Sequence, residues 1–230
     1  GSINFTVEQT RNASDEQLRA NAAALVIEGL TSGTTTVEIK SGYGLSIADE
    51  VRSLQIAREF TDETTFLGAH VIPLEFKSAP DDYVAMVCGP MLEAVAPLAK
   101  WIDVFCDRGA FSPDQTRQIL KAGIAKGLLP RLHANQLEPG EGIKVGVELG
   151  AASVDHISHF NSSDIAALAS SNTVATFLPG AEFSTRSKYP DARPVFEAGV
   201  SVAIASDCNP GSSYTTNMKS SSRRGSKSCF

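Results

Sequence analysis

The residues of this chain best equipped for chemistry are its four histidines, His70, His133, His156 and His159, and the carboxylates near them. Each histidine stands at or just past the end of a short apolar, β-branched run. Lys40, Tyr43, Cys106, Asp107, Gln136, Asp155 and Asp207 fall in the same places. Singly, each has a plain structural reading: a histidine after a strand is more often hydrogen-bonded than a ligand, and Asp207 can cap the turn Asn209-Pro210-Gly211. Jointly they point further. Two histidines and a carboxylate meeting at one rim suit a divalent metal with nitrogen and oxygen ligands. Such a metal lowers the pKa of its water to about 7. A carboxylate beside it can take up the proton and return it to a leaving nitrogen.

Other positions carry weaker signals. SGYGL (41–45) sets a tyrosine between glycines on a loop, where it is either a plain turn or a hydroxyl facing the rim. CNPGSS (208–213) offers the Asn209 amide, backbone N–H groups around Gly211 and the hydroxyls of Ser212 and Ser213, although turn chemistry alone accounts for Pro210-Gly211. Arg186 can bind an anion or be solvated. Cys106 and Cys208 read as packing residues.

The elements that must position these groups are legible as alternating strands and helices. Seven short runs read as strands: 34–40, 64–71, 101–106, 128–134, 152–157, 172–178 and 200–207. They recur at intervals of roughly 20–36 residues, the length of one strand plus one helix, which predicts repeated βα units. Helix starts are marked by Ser14-Asp15, Ser46, Ser112-Pro113 and Ser162-Ser163, and glycines stand at several exits. A doubly wound sheet or a TIM barrel accommodates the pattern. The absence of G-x-G-x-x-G after the first run argues against a dinucleotide-binding domain. A closed barrel needs eight strands, one more than these runs supply.

Composition bounds the partners. The net charge of −6 argues against nucleic acid, and 42% hydrophobic residues suffice for one sizeable core. Neither a membrane-span length of apolar sequence nor a C-x-x-C pair occurs, so the expected setting is a reducing compartment, the cytoplasm, with no membrane partner.

The stretches VEIKSGYGL, TFLGAHVIPLEFK, DVFCDRGAFS, RLHANQL, GAASVDHISH, TVATFLPGAEFSTRS and SDCNPGSSYT, in this order, closely resemble the imidazolonepropionase family of the amidohydrolase superfamily. The resemblance covers about Gly1 to Thr216. It implies an α/β fold, a TIM (β/α)8-type barrel of the metal-dependent hydrolase type. It also implies hydrolysis of 4-imidazolone-5-propanoate to N-formimidoyl-L-glutamate in histidine degradation, with one divalent metal, zinc or iron; the alternatives are a related amidohydrolase such as an aromatic-base deaminase, and a non-catalytic fragment derived from the enzyme. On this resemblance His133 and Asp207 are metal ligands, Asp207 also handles the proton, and His156 polarises the carbonyl or assists proton transfer. Tyr43, His70, Gln136, Asn209, Gly211 and Ser212 match positions that hold a small-molecule substrate. A homodimer is implied for the full-length enzyme.

Two departures from the family pattern set further expectations. The family has an H-x-H pair of metal ligands at the end of its first strand, which this sequence lacks; its closest spacing is His156 and His159. The seven runs then correspond to strands 2–8 of an incomplete barrel in residues 1–216. After Thr216, residues 217–230 form a basic, low-complexity tail with Lys219, Arg223, Arg224 and Lys227, expected to be disordered and most simply explained by a shifted reading frame.

Overall fold

The computed structural model describes residues 3–218, so the expected disorder of the tail from Lys219 onward lies outside the described residues. Eight strands are present: β1 (Ile39–Lys40), β2 (Thr64–Ala69), β3 (Trp101–Cys106), β4 (Leu129–Pro130), β5 (Leu132–Ala134), β6 (Ser153–His156), β7 (Val174–Phe177) and β8 (Val202–Ile204). All pair in parallel, in the order β1-β2-β3-β5-β6-β7-β8, with β4 also on β3. β4 and β5 are one strand in two pieces, separated at Arg131. The seven expected runs are therefore the seven strand positions, and the sheet curls into a half-barrel. Sequence order follows spatial order, as consecutive βα units require.

The helices are α1 (Ile3–Asn12), α2 (Asp15–Thr31), α3 (Ile47–Ala57), α4 (Pro80–Met86), α5 (Leu92–Val95), α6 (Pro113–Ala125), α7 (Gly142–Glu148), α8 (Ser162–Ala169), α9 (Pro179–Thr185) and α10 (Arg193–Glu197). Ser14 and Ser112 form capping boxes with Gln17 and Gln115, and Ser46 caps α3. α8 begins one residue earlier than its serines suggest: Asn161 is the cap, accepting from the amides of Ser163 and Asp164. α4 and α5 are joined across a non-helical Gly89-Pro90 bend, and Pro at the N-terminus opens α4, α6, α9 and α10.

The pleat divides each strand between two faces. Ile102, Leu132 and Val154 pack outward against the helices, all at 1% exposure or less. Close approach there depends on Gly123 of α6, whose missing Cβ would lie 2.5 Å from Ile102 Cδ1. The alternate residues point into the curl, and beside Trp101 and Phe105 they are charged or polar: Glu38, Lys40, Asp103, Arg131, His133 and Asp155 share that side. Buried charges need partners. Lys40 Nζ lies 2.7 Å from Glu38 Oε1 and 2.9 Å from Asp103 Oδ2, Arg131 Nε lies 3.5 Å from Glu38 Oε1, and the Arg131 guanidinium stacks 4.0 Å over the Trp101 ring.

No helix among the described residues is long and apolar enough to cross a membrane.

Candidate active site at the strand ends

Asp103 organises the interior. Its Oδ1 accepts from the His133 backbone N–H at 3.2 Å and from His133 Nδ1 at 3.0 Å, while Oδ2 faces Lys40. Burial opposes a charged Asp103, but His133 and Lys40 outweigh it and hold the carboxyl far below its usual range. Burial likewise opposes charge on Lys40, yet Asp103 and Glu38 keep the ammonium above its usual value. The bond to Asp103 commits Nδ1 of His133 and leaves Nε2 as the ring's free nitrogen. Burial lowers the proton affinity of His133 and Asp103 more than restores it, so the net shift is upward.

Three histidine rings stand in file. His133 lies 5.2 Å from His156 and 6.4 Å from His70, centroid to centroid, with Phe105 at 5.9 Å from His133. Parallel register makes this possible: His133 pairs with Phe105 on one side and Asp155 on the other, and Ala134 with His156. His70 donates Nδ1–H to the Gly42 carbonyl at 2.9 Å, and burial, aided by His133, pulls its pKa down to about 4. His156 is buried, its Nδ1 has no hydrogen-bond partner, and burial with His133 beside it holds it well below the ordinary range. Both rings are neutral at pH 7.

The opposite side of the rim comes from the ends of β1 and β8. Tyr43 meets His70 edge to face at 5.0 Å, and burial raises its phenol to about 12. Asn209 Nδ2 donates to Tyr43 Oη at 2.8 Å, and Asn209 Oδ1 accepts from the Gly211 amide at 2.8 Å. Asp207 accepts from Ser212 Oγ at 2.5 Å. Burial raises its pKa, and His133, Lys40 and Asp155 also act on its charge. Gln136 follows Asn135 on the β5 loop, where Asp107 Oδ2 accepts from the amides of Gln136 and Leu137. The backbone is strained here: Leu45, Asn135, His156, Ile157, Asp207 and Cys208 all have positive φ and lie at or after strand ends, leaving only Arg186 elsewhere among the described non-glycine residues.

The structure thus brings His70, His133, His156, Tyr43, Asn209 and Asp207 to one rim. It does not bring His159, which is exposed and whose backbone N–H bonds Asn135 O. Arg186 is exposed, as the C-cap of α9. Burial raises the Cys106 and Cys208 thiols, consistent with packing roles. Sequence reasoning missed Asp103, which sits mid-strand, Glu38, one residue before β1, and Glu182, buried on α9 and bonded by Ser158 Oγ at 2.6 Å. The available signal was a charge inside an otherwise apolar run, as in WIDVFC.

Asp103, His133 and Asp155 form a buried group able to hold a metal ion, with ligand atoms all within 4.8 Å of one another. Asp155 Oδ1 is buried without a partner, whereas Asp103 is already saturated by Lys40 and His133. The donor chemistry fits a borderline divalent cation.

No protein-family model matches the chain. Curated relatives do. The imidazolonepropionase of Mycolicibacterium smegmatis is 62% identical over 218 residues, 95% of this chain and 55% of that protein. The imidazolonepropionase of Salinispora arenicola is 63% identical over 220 residues, 95% of this chain and 56% of its own length. Among solved structures, a 5-methylcytosine deaminase from Klebsiella pneumoniae superposes with a TM-score of 0.76 at 13% identity, over 99% of this chain and 62% of that one. A guanine deaminase from C. acetobutylicum gives 0.71 at 11% identity, over 96% and 56%. At such identities the likeness speaks for the barrel fold alone. Over the part they share, the chain is therefore similar to the imidazolonepropionases and has the barrel fold, and it spans about half the length of the curated relatives it matches.

Proposed function

We propose that this chain carries part of the site for hydrolysis of a cyclic amide, converting 4-imidazolone-5-propanoate to N-formimidoyl-L-glutamate in histidine degradation. The observation that carries this reading is the file of His70, His133 and His156 beside Asp207 at one rim, in a chain 62% identical to a curated imidazolonepropionase.

His133, through Nε2, and Asp207 would hold one divalent ion, zinc or iron. When bound, the ion supplies Lewis-acid activation of water and of the amide carbonyl. The protein's residues do the rest. Asp207, partly buried and held by Ser212, has the raised proton affinity suited to accepting a proton from water and returning it to the ring nitrogen as the C–N bond breaks. His156, kept neutral by burial, is suited to donating a hydrogen bond to the carbonyl oxygen without adding a charge to the site. Tyr43, which stays a phenol, contacts the substrate together with His70, Gln136, Asn209, Gly211 and Ser212. Asp103 holds His133 in orientation.

The test is titration of the chain with zinc and with ferrous ion, alongside an assay for N-formimidoyl-L-glutamate. His133→Ala is expected to weaken metal binding at least about tenfold, and Asp207→Asn to abolish hydrolysis while substrate still binds. Unchanged metal affinity in His133→Ala overturns the ligand assignment; hydrolysis surviving in Asp207→Asn overturns the proton assignment.

A further inference from the structure

Glu50 lies on the first turn of α3, is fully buried, and points its carboxylate into the loop 41–45. Three backbone amides converge on it. Oε1 accepts from Gly44 N at 3.0 Å, Leu45 N at 2.8 Å and Gly42 N at 3.2 Å, and Oε2 accepts from Gly42 N at 3.1 Å. Such a nest of successive N–H groups is an anion site, filled here by the protein's own carboxylate. The loop could not take this course unaided: Gly42 has φ +107 and Leu45 has φ +52. Without an acceptor inside the turn, three buried amides would go unpaired.

The loop's outward face carries two residues of the rim. The Gly42 carbonyl accepts from His70 Nδ1, and a carbonyl can only accept, so the Nδ1–H tautomer of His70 is fixed and Nε2 is left as a bare acceptor. Next in the chain, Tyr43 meets the His70 ring and receives the Asn209 amide.

We propose that Glu50 is a positioning residue: by gathering the amides of Gly42, Gly44 and Leu45 it sets the Gly42 carbonyl that selects the His70 tautomer and aims the Tyr43 hydroxyl. Its importance for substrate rests on the proposed function, in which His70 and Tyr43 contact the ligand. The requirement is for a carboxylate of this length. Asp falls one methylene short, and Gln places an NH2 against the Gly42 N–H where Oε2 now accepts.

The experiment records the imidazole 15N resonances of His70 in the full chain, assigned by their loss in His70→Asn. Unmodified protein shows the Nδ1–H form alone. Glu50→Gln is expected to shift His70 to a mixture or to the Nε2–H form, whereas Leu54→Ala, a cavity in the same helix, lowers stability without changing the tautomer. A pinned Nδ1–H tautomer in Glu50→Gln overturns the proposal, as does a tautomer change of equal size in Leu54→Ala. Should Glu50→Gln fold poorly, hydrogen exchange in the unmodified chain decides: slow exchange at Gly42, Gly44 and Leu45 supports the nest, and fast exchange at any two overturns it. Binding of 4-imidazolone-5-propanoate is measured in parallel and is expected to weaken about tenfold in Glu50→Gln, a cost near 1.4 kcal/mol. A changed tautomer with unchanged affinity removes His70 and Tyr43 from the substrate site and leaves the positioning role standing.

Discussion

Asn209 Nδ2 donates to Tyr43 Oη at 2.8 Å across 166 residues of chain, joining the loop after β8 to the loop after β1, the two outer strands of the curled sheet. No described strand pairs β1 with β8, so this side-chain bond ties together two ends of the rim that no ladder connects. Tyr43→Phe leaves the Asn209 amide short of an acceptor, and its expected cost is about 1–2 kcal/mol in urea denaturation. A cycle with Asn209→Ala is expected to give a coupling energy of about 1 kcal/mol. Strict additivity would mean that the bond does not hold the two loops.

The Asp103–Lys40 pair makes a sharper prediction. Asp103 is fully buried and bonds Lys40 and two nitrogens of His133. Asp103→Ala leaves the Lys40 ammonium in the interior with Glu38 as its remaining bonded partner and Asp155 acting from farther off. The expected loss is about 3–5 kcal/mol, together with release of the His133 ring. Removing both charges, in Asp103→Ala with Lys40→Met, is expected to cost less than Asp103→Ala alone. If the double variant is the weaker protein, desolvation of an unpaired Lys40 is not what makes Asp103 necessary.

These residues also show what the sequence could and could not disclose. The seven strand positions were legible because parallel strands buried on both faces read as short apolar runs. The rim was legible because so few histidines all fell at run ends. Asp103 was not, since the apolar residues on both sides of it in WIDVFC hide which face turns inward; its bonds to the His133 amide and ring show that it does. His159 was grouped with His156 because nothing in the spelling says that the chain turns outward within three residues. The positive φ of His156 and Ile157 does that. α4 and α5 were missed because Gly89-Pro90 interrupts their periodicity.

pH dependence follows from His70. Its folded pKa of about 4 lies below the ordinary 6.5, so the unfolded chain binds the proton first. Its contribution to stability is complete above pH 6.5 and is lost as pH falls towards 4, by up to about 3 kcal/mol. His133, Asp103 and Lys40 are the charged neighbours acting on it. Asp155, Asp207 and Glu182, raised by burial, change stability in the opposite sense, so a single denaturation curve mixes the two. The stability difference between the unmodified chain and His70→Asn, measured by urea denaturation at pH 7 and pH 4.5, isolates the effect. That difference is expected to shrink at the lower pH; a constant value would mean that the ring is not desolvated.

Gly44 offers the last test, because its space is bounded by backbone. A Cβ there would lie 2.6 Å from Asp49 Cβ, 2.7 Å from the Asp49 carbonyl carbon and 2.9 Å from Glu50 N. None of these atoms is the free end of a flexible side chain, so the loop rather than the helix must give way. Gly44→Ala is expected to cost about 1–3 kcal/mol, and to displace the amide that Glu50 holds. Gly140→Ala, whose Cβ would come no nearer than 3.4 Å to Asn135 Oδ1, is the comparison and is expected to stay within about 0.5 kcal/mol. Urea denaturation of the two variants decides. Equal stability would show that the turn at residues 41–45 has room the close contacts deny, and the anchoring of Tyr43 by α3 would lose its steric half.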